Sequence, residues 1–257
     1  MTDLAEDAAL AVDVVREAGL LARELRAVGL TVDTKTSVSD VVTAADHAAE
    51  RLVVDHLSSW RAEDGVLGEE GNERFSLSGR TWVVDPVDGT YNFVNGLDWW
   101  CSAVALVVGE EPLLGAVYHP ERDAMYVGGP DLPTTCNGEP VGLIEDVDLA
   151  HACAATYLHP PFFGTDLGDA FARAIGGAST LRMLGSASLD MAAIAQGHLG
   201  VFLHHSVAPW DWFPGVALIR GAGGAARRTR AGGVEWSVAG APTAVAEMCA
   251  ALEDVSD

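Results

Sequence analysis

Lysine is almost absent from this 257-residue chain: Lys35 is the only one, and 14 arginines supply the rest of the positive charge. Against these 15 basic residues stand 37 acidic ones, for a formal net charge of −22. A field of that sign repels phosphate backbones and anionic lipid, which argues against nucleic-acid and membrane-surface binding. Long apolar runs are missing too. The segment from Trp99 to Val108, broken only by Ser102, falls short of the roughly 20 residues that a membrane helix needs. The N-terminus, Met-Thr-Asp-Leu-Ala-Glu-Asp, is acidic where a secretory leader is basic, so a cytoplasmic location is expected. Cysteine is sparse: Cys101, Cys136, Cys153 and Cys249 are dispersed, with no C-x-x-C pair. That argues against a zinc or iron–sulfur site and leaves reduced, mostly buried thiols. What remains, at 49% hydrophobic and 20% charged residues, is a globular chain long enough to bury a substantial core.

Periodicity divides the chain. Leu4 to Leu30 has apolar residues at helical spacing and reads as a long first helix, followed by a polar connection from Thr31 to Val42. Thr43-Ala-Ala-Asp46 opens a second helix to about Trp60 with the pattern of a capped start. Strands are predicted at Val66–Gly68, Thr81–Val84, Cys101–Val108, Pro112–His119, Ala124–Gly128 and Thr134–Val141. Past about residue 145 strands and helices alternate: strands at Ala152–Leu158, Thr180–Leu184 and Val201–His204, helices at Leu167–Ile175, Ser188–Leu199 and Phe213–Arg220. The last helix stops at Gly221-Ala-Gly-Gly224. An α+β part, residues 1–144, thus precedes an α/β part, residues 145–257.

The densest chemical signal is Trp82-Val-Val-Asp85-Pro86-Val87-Asp88-Gly89-Thr90. An apolar strand delivers two carboxylates three residues apart and then a turn, where Gly89 permits a bend whose N–H groups can face one anion. Carboxylates beside a phosphate repel it unless cations intervene, so the segment makes sense as an oxygen-ligand site for Mg²⁺. Gly68-Glu69-Glu70-Gly71 places two more acids where a short strand enters a loop, and Trp210-Asp211-Trp212 places one immediately before a helix. The lone Lys35, in a polar stretch, is a further candidate. A covalent aspartyl-phosphate route of the haloacid-dehalogenase kind is rejected: its Asp-x-Asp-Gly-Thr spacing differs by one residue, and it needs a lysine downstream of the motif.

Taken in order, Asp40-Val-Val-Thr43-Ala-Ala-Asp46, Gly68-Glu69-Glu70, Asp85 to Phe93, Gly185-Ser186-Ala187 and Trp210-Asp211 with Gly221 to Gly224 resemble the inositol monophosphatase family of metal-dependent phosphomonoesterases. The resemblance covers nearly the whole chain. It implies a layered αβαβα sandwich of the sugar-phosphatase type, commonly a homodimer, with two or three Mg²⁺ ions. One ion would be held by Glu69, Asp85 and the carbonyl of Val87, a second by Asp85, Asp88 and Asp211, and a third, weaker one near Glu69 through waters. Thr90, paired with Asp46, would orient and help deprotonate the attacking water, with Glu70 supporting it. The amides of Gly89 and Thr90 would hold the phosphate. Gly185, Ser186, Ala187, His204 and Asp211 would line the substrate, and Lys35 would lie in a mobile catalytic loop. Lithium sensitivity is a further family expectation.

The substrate implied is a small phosphorylated alcohol, inositol 1-phosphate or a related polyol phosphate first. Fructose 1,6-bisphosphate, histidinol phosphate and a 3′-phosphoadenosine nucleotide are alternatives within the same chemistry. A non-catalytic interaction module on the same fold is the alternative from another class. Seven residues before Asp211, where the family offers a carboxylate to inositol, this chain has His204; it could hydrogen-bond one hydroxyl or, half-charged, favour a second anionic group. Trp212-Phe213-Pro214 replaces the small residues usual after the family's Asp, which is expected to reshape the pocket floor, and Pro214 is expected within the first turn of its helix.

Overall fold

The computed structural model describes residues 4–29, 32–34 and 41–253; Lys35 and Asp40 lie outside them. Helix α1 (Leu4–Val28) ends where Gly29 adopts a φ of 104°. The polar connection holds two short paired strands, β1 (Val32–Thr34) and β2 (Val41–Thr43). Helix α2 (Ala44–Trp60) starts with a full capping box: Thr43 accepts the amide of Ala45, and Asp46 takes the amide and hydroxyl of Thr43.

Next come β3 (Gly65–Gly68), β4 (Glu73–Arg74), β5 (Thr81–Asp88), helix α3 (Thr90–Val94), β6 (Cys101–Val108), β7 (Glu111–His119), β8 (Ala124–Gly129), β9 (Leu132–Cys136) and β10 (Glu139–Pro140). They form an eight-stranded sheet ordered β10-β9-β8-β7-β6-β5-β3-β4, in which only β3 and β5 pair in parallel. The single strand expected over Thr134–Val141 is instead a hairpin. Asn137 and Gly138 at its tip have φ of 51° and 83°, which a two-residue turn matching strand twist requires.

The second half gives β11 (Cys153–Thr156), α4 (Asp166–Ile175), β12 (Thr180–Arg182), α5 (Ala187–Ala195), β13 (Val201–His205), α6 (Pro209–Gly221), β14 (Ala225–Ala231), β15 (Val234–Gly240) and α7 (Pro242–Glu253). Its sheet is ordered β12-β11-β13-β15-β14. Helix α6 begins four residues earlier than its periodicity suggests, because Pro209 at the first helical position needs no amide partner and no polar side chain marks the cap at Ala208. Pro214 therefore lies inside the helix, contrary to the first-turn expectation.

Side-chain alternation fixes five layers. Along β5, Trp82 and Val84 face α1 and α2, packing with Ala11, Val14, Val15, Ala49 and Val53, whereas Val83 turns to the opposite face with Met191 of α5 and Val216 of α6. On β13, Phe202 joins that same interlayer core, while Val201 and Leu203 point outward to Phe171 of α4 and Met248 of α7. The order is α1/α2, eight-stranded sheet, α5/α6, five-stranded sheet, α4/α7. This is the αβαβα sandwich. Both faces of β5 are covered, so seven of its eight residues are buried and the strand reads as a continuous apolar run rather than an alternating one. No helix among the described residues is long and apolar enough to cross a membrane.

The interlayer packing tolerates no extra atoms where α6 crosses β7. A Cβ on Gly115 would lie 2.4 Å from the carbonyl oxygen of Pro214 and 2.9 Å from Cβ of Ala217. Gly115→Ala is therefore expected to cost about 1–3 kcal/mol through overpacking, read as a Tm lowered by several degrees; an unchanged melting curve would contradict this contact.

Candidate active site

In a regular strand, residues three apart face opposite ways, so Asp85 and Asp88 could not share a ligand. Strand β5 breaks that rule at its end: Asp85 pairs with Ala103 of β6, but Asp88 pairs with Cys101. Three steps on β5 match two on β6. The extra residue is a bulge at Pro86-Val87, where proline has no amide to give the ladder. Val87 donates its amide to Asp85 Oδ1 at 3.1 Å, and Ser102 Oγ donates to the freed carbonyl of Pro86. Both carboxylates now turn to one side.

Asp211, in the first turn of α6, completes the cluster: one carboxylate oxygen each from Asp85, Asp88 and Asp211 lies within 4.8 Å of the others. That spread approaches the ~4.2 Å span of one octahedral shell with bonds of about 2.1 Å. Glu69 is within hydrogen-bonding reach of Asp85. Burial, then the charges of Glu69, Asp88 and Asp211, hold Asp85 well above the usual carboxylate range. Burial also raises Asp88, opposed by amide donors. A group of acids that must otherwise retain protons is a site that a hard cation relieves, and an all-oxygen donor set suits Mg²⁺. The expected position of Asp211 just ahead of the helix is corrected by one turn, which brings its carboxylate to the positive end of the α6 dipole.

Helix α2 supplies the neighbouring groups. Buried Asp46 accepts from Thr90 Oγ1 at 3.2 Å through the oxygen that the capping box leaves free, and the same hydroxyl lies 2.9 Å from the carbonyl of Val87. Burial raises Asp46. The Glu70 side chain is nearly inaccessible, with His47 Nδ1 3.8 Å from its Oε2. Gly89 adopts a φ of 92° and a Cβ there would come within 3.0 Å of the carbonyls of Gly185 and Trp99, so only glycine fits. With Thr90 it opens α3, whose leading amides have no intrahelical acceptor.

The Gly185-Ser186-Ala187 segment closes the far side. Ser186 caps α5, and the amides of Ala187 and Ser188 donate to Asp88 at 3.1 and 2.6 Å. Asn92, three residues past Gly89, ties the two loops together by donating to the carbonyls of Trp99 and Leu184 at 2.8 and 2.7 Å. Spacing gave no hint of that role. Asp190, one turn into α5, was likewise not singled out; its Oδ1 accepts Trp99 Nε1–H at 2.8 Å, and burial lifts it to about 8.

His204 is partly buried on β13, among the rings of Tyr157, Phe202 and His205 with centroids 5.9, 6.3 and 5.4 Å away. Burial, then His205 and His159, push its imidazole down to about 4. It is neutral at pH 7, so the half-charged reading is corrected. Phe202 also touches Trp212 at 6.4 Å between ring centroids, a ring contact linking this wall to the residue beside Asp211. Trp212 and Phe213, expected to reshape the floor, turn instead into the core between the sheets. Lys35 lies outside the described residues.

Five layers with an acid cluster where a bulged strand meets a helix N-terminus are the αβαβα sandwich of the sugar-phosphatase type, and its known relatives make the chain a phosphoric monoester hydrolase. More narrowly, the chain belongs to the inositol monophosphatase family, which it matches over residues 3–254. It is 32% identical over 230 residues to inositol monophosphatase 3 of Solanum lycopersicum, covering 84% of this chain and 83% of the relative. It is 31% identical over 193 residues to the fructose-1,6-bisphosphatase/inositol-1-monophosphatase of Thermotoga maritima, covering 75% and 73%. Among solved structures, the extragenic suppressor protein suhB of Bartonella henselae superimposes with a TM-score of 0.85 at 26% identity, over 96% of this chain and 98% of that one.

Asp190 yields a pH test. Its raised value means the native state keeps a proton that the unfolded chain releases above about 4, so ionisation erodes stability as pH climbs from there towards 8. Asp190→Asn, neutral throughout, is expected to gain on the wild type across that window, by at most about 1.4 kcal/mol per pH unit. Denaturant melts of the metal-free protein at pH 5 and 7.5 check it; a difference that stays constant contradicts the assignment.

Proposed function

We propose that this chain is a Mg²⁺-dependent phosphatase of a small phosphorylated alcohol, inositol 1-phosphate or a related polyol or sugar phosphate, acting by direct attack of water. The observation that carries the reading is the convergence of Asp85, Asp88 and Asp211 within 4.8 Å. Glu69, Asp85 and the Val87 carbonyl would hold one ion, and Asp85, Asp88 and Asp211 a second, with a third near Glu69. The Val87 carbonyl oxygen lies 2.9 Å from the Thr90 hydroxyl and has two lone pairs, so it can take an ion when that hydroxyl's proton is directed to Asp46 instead. Bound divalent cations supply the positive charge that the phosphoryl oxygens need and acidify water at neutral pH.

The chain's own groups do the rest. Thr90 has one hydroxyl proton; given to Asp46, it leaves the oxygen's lone pairs free to accept from an attacking water. Asp46, raised by burial, is a stronger base than an exposed carboxylate and accepts that relayed proton more readily. Glu70 would support this network, the Gly89 and Thr90 amides would face the phosphate, and Gly185, Ser186 and Ala187 would border the substrate with His204. Lys35 would act from the segment before β2. The family reading also implies a homodimer, and the −22 charge supports a small-molecule substrate over nucleic acid.

The test is Mg²⁺-dependent phosphate release from inositol 1-phosphate, fructose 1,6-bisphosphate, histidinol phosphate and a 3′-phosphoadenosine nucleotide. Asp211→Asn is expected to lower it by at least about a hundredfold, in line with loss of a catalytic metal ligand; near-normal turnover would refute the metal assignment. The substrate wall has its own check. A neutral imidazole among rings offers weaker acceptance to vicinal hydroxyls than a carboxylate does, so His204→Glu is expected to raise kcat/KM for inositol 1-phosphate about tenfold relative to the other three substrates. Unmoved selectivity would remove His204 from specificity.

A further inference from the structure

Helix α2 carries a second buried acid that the mechanism above does not use. Glu50 sits one turn after Asp46 on the same helix face, with Ala45, Ala49 and Val53 around it, and is completely buried. Its carboxylate is enclosed by the turn that follows β3. Oε2 accepts the amide of Glu70 at 2.8 Å; Oε1 accepts the amide of Asn72 at 3.1 Å and its side-chain Nδ2 at 2.7 Å. The turn is shaped to admit it. Gly68 donates to the carbonyl of Asn72 at 2.9 Å, Gly71 takes a φ of 95°, and a Cβ on Gly68 would fall 2.5 Å from the Glu50 carboxyl carbon. Glu69 is meanwhile fixed on its other side, its amide donating to the carbonyl of Val84, the residue before Asp85, at 3.1 Å.

We propose that Glu50 is a positioning residue for metal binding: it fixes the Glu69-Glu70 segment from below, and so sets where the Glu69 carboxylate meets Asp85. This rests on the metal-dependent reading given above. Because Asp46 and Glu50 project from one rigid helix, α2 places both the Thr90 hydroxyl and the Glu69-Glu70 turn relative to the same cluster. The arrangement demands a carboxylate. All three donors are N–H groups, and both oxygens accept; an amide can present an oxygen to only one side. In Glu50→Gln the oxygen would go to the two Asn72 donors, leaving the amide nitrogen against the Glu70 N–H. That donor–donor conflict displaces the residue next to Glu69 while preserving side-chain shape.

The experiment measures Mn²⁺ affinity without substrate, by calorimetry or electron paramagnetic resonance, in wild type and Glu50→Gln, alongside the Mg²⁺ midpoint for phosphate release. Residues that orient metal ligands typically control affinity by about 10–100-fold. Glu50→Gln is expected to weaken Mn²⁺ binding about tenfold and to shift the Mg²⁺ midpoint equally, with KM at saturating Mg²⁺ within about twofold of wild type. Asn72→Ala, which removes one of the two donors to Oε1, is expected to shift binding by less. A Glu50→Gln protein with a lower Tm but wild-type Mn²⁺ affinity and Mg²⁺ midpoint would overturn the proposal, leaving Glu50 a purely structural residue. Wild-type protein that binds no divalent ion would overturn the functional reading itself, and this proposal with it.

Discussion

Like charges do not gather unaided, and the architecture of this protein is organised around making them do so. At an effective dielectric constant near 20, two carboxylates 4 Å apart repel by about 4 kcal/mol, and Asp85 and Asp88 are both buried. The bulge in β5 creates that repulsion by turning two acids to one side, and two helix ends oppose it: the N-terminus of α5 gives Asp88 two amides, and the N-terminus of α6 places Asp211 at its positive end. Helices α5 and α6 can do this because both lie in the layer between the sheets. The middle layer thus supplies hydrogen-bond donors as well as packing.

What the helices leave uncompensated, protons or cations must supply. Asp85 stays raised by burial and by its three acidic neighbours, and Asp190 behind it is lifted too. Two buried acids away from the cluster are neutralised by arginine: Asp7 bonds Arg61 and Arg80, and Asp64 bonds Arg80 and the indole of Trp82. Arginine suits these sites because its planar fork can serve two carboxylates at once, as Arg80 does.

Much of this was legible in the residues themselves. Thr43 to Asp46 announced the start of α2, and Asp85 to Thr90 announced the cluster, because both depend on contacts within a few positions. The Asn137-Gly138 hairpin was equally local, yet its returning strand is only Glu139–Pro140, too short to show a strand pattern of its own. The start of α6 was hidden because Ala208 gives no capping signal. Residues 225–231 yielded no reading because β14, rich in arginine, is an edge strand with a half-exposed pattern. Glu50 did carry a signal: with Asp46, Val53 and Leu57 it continues the inward stripe of α2, where a carboxylate is out of place unless something donates to it. Its donors, twenty and more residues downstream, belong to tertiary structure alone.

On the proposed reading, chemistry and specificity would rest on different sheets. The acids that would hold metal come from β5, the turn after β3 and the first turn of α6, whereas His204 belongs to β13 of the other sheet, in an aromatic group with Tyr157, Phe202 and His205. Helices α5 and α6 join the two: α5 gives amides to Asp88 and packs Met191 in the core shared with Phe202, and α6 carries Asp211 facing the cluster and Trp212 packed on Phe202. If His204 borders the substrate as proposed, a substitution on β13 would alter what lies against its alcohol portion without moving a carboxylate of the cluster, since β13 donates none of them. A change along β5 has no such latitude: the bulge, the Val87 carbonyl and Asp85 share four consecutive residues with Asp88, and shifting one moves all. On that division, a carboxylate-to-histidine exchange at position 204 is compatible with a full set of acids, and loss of the inositol-type acceptor speaks to which alcohol is bound and not to whether phosphate is cleaved.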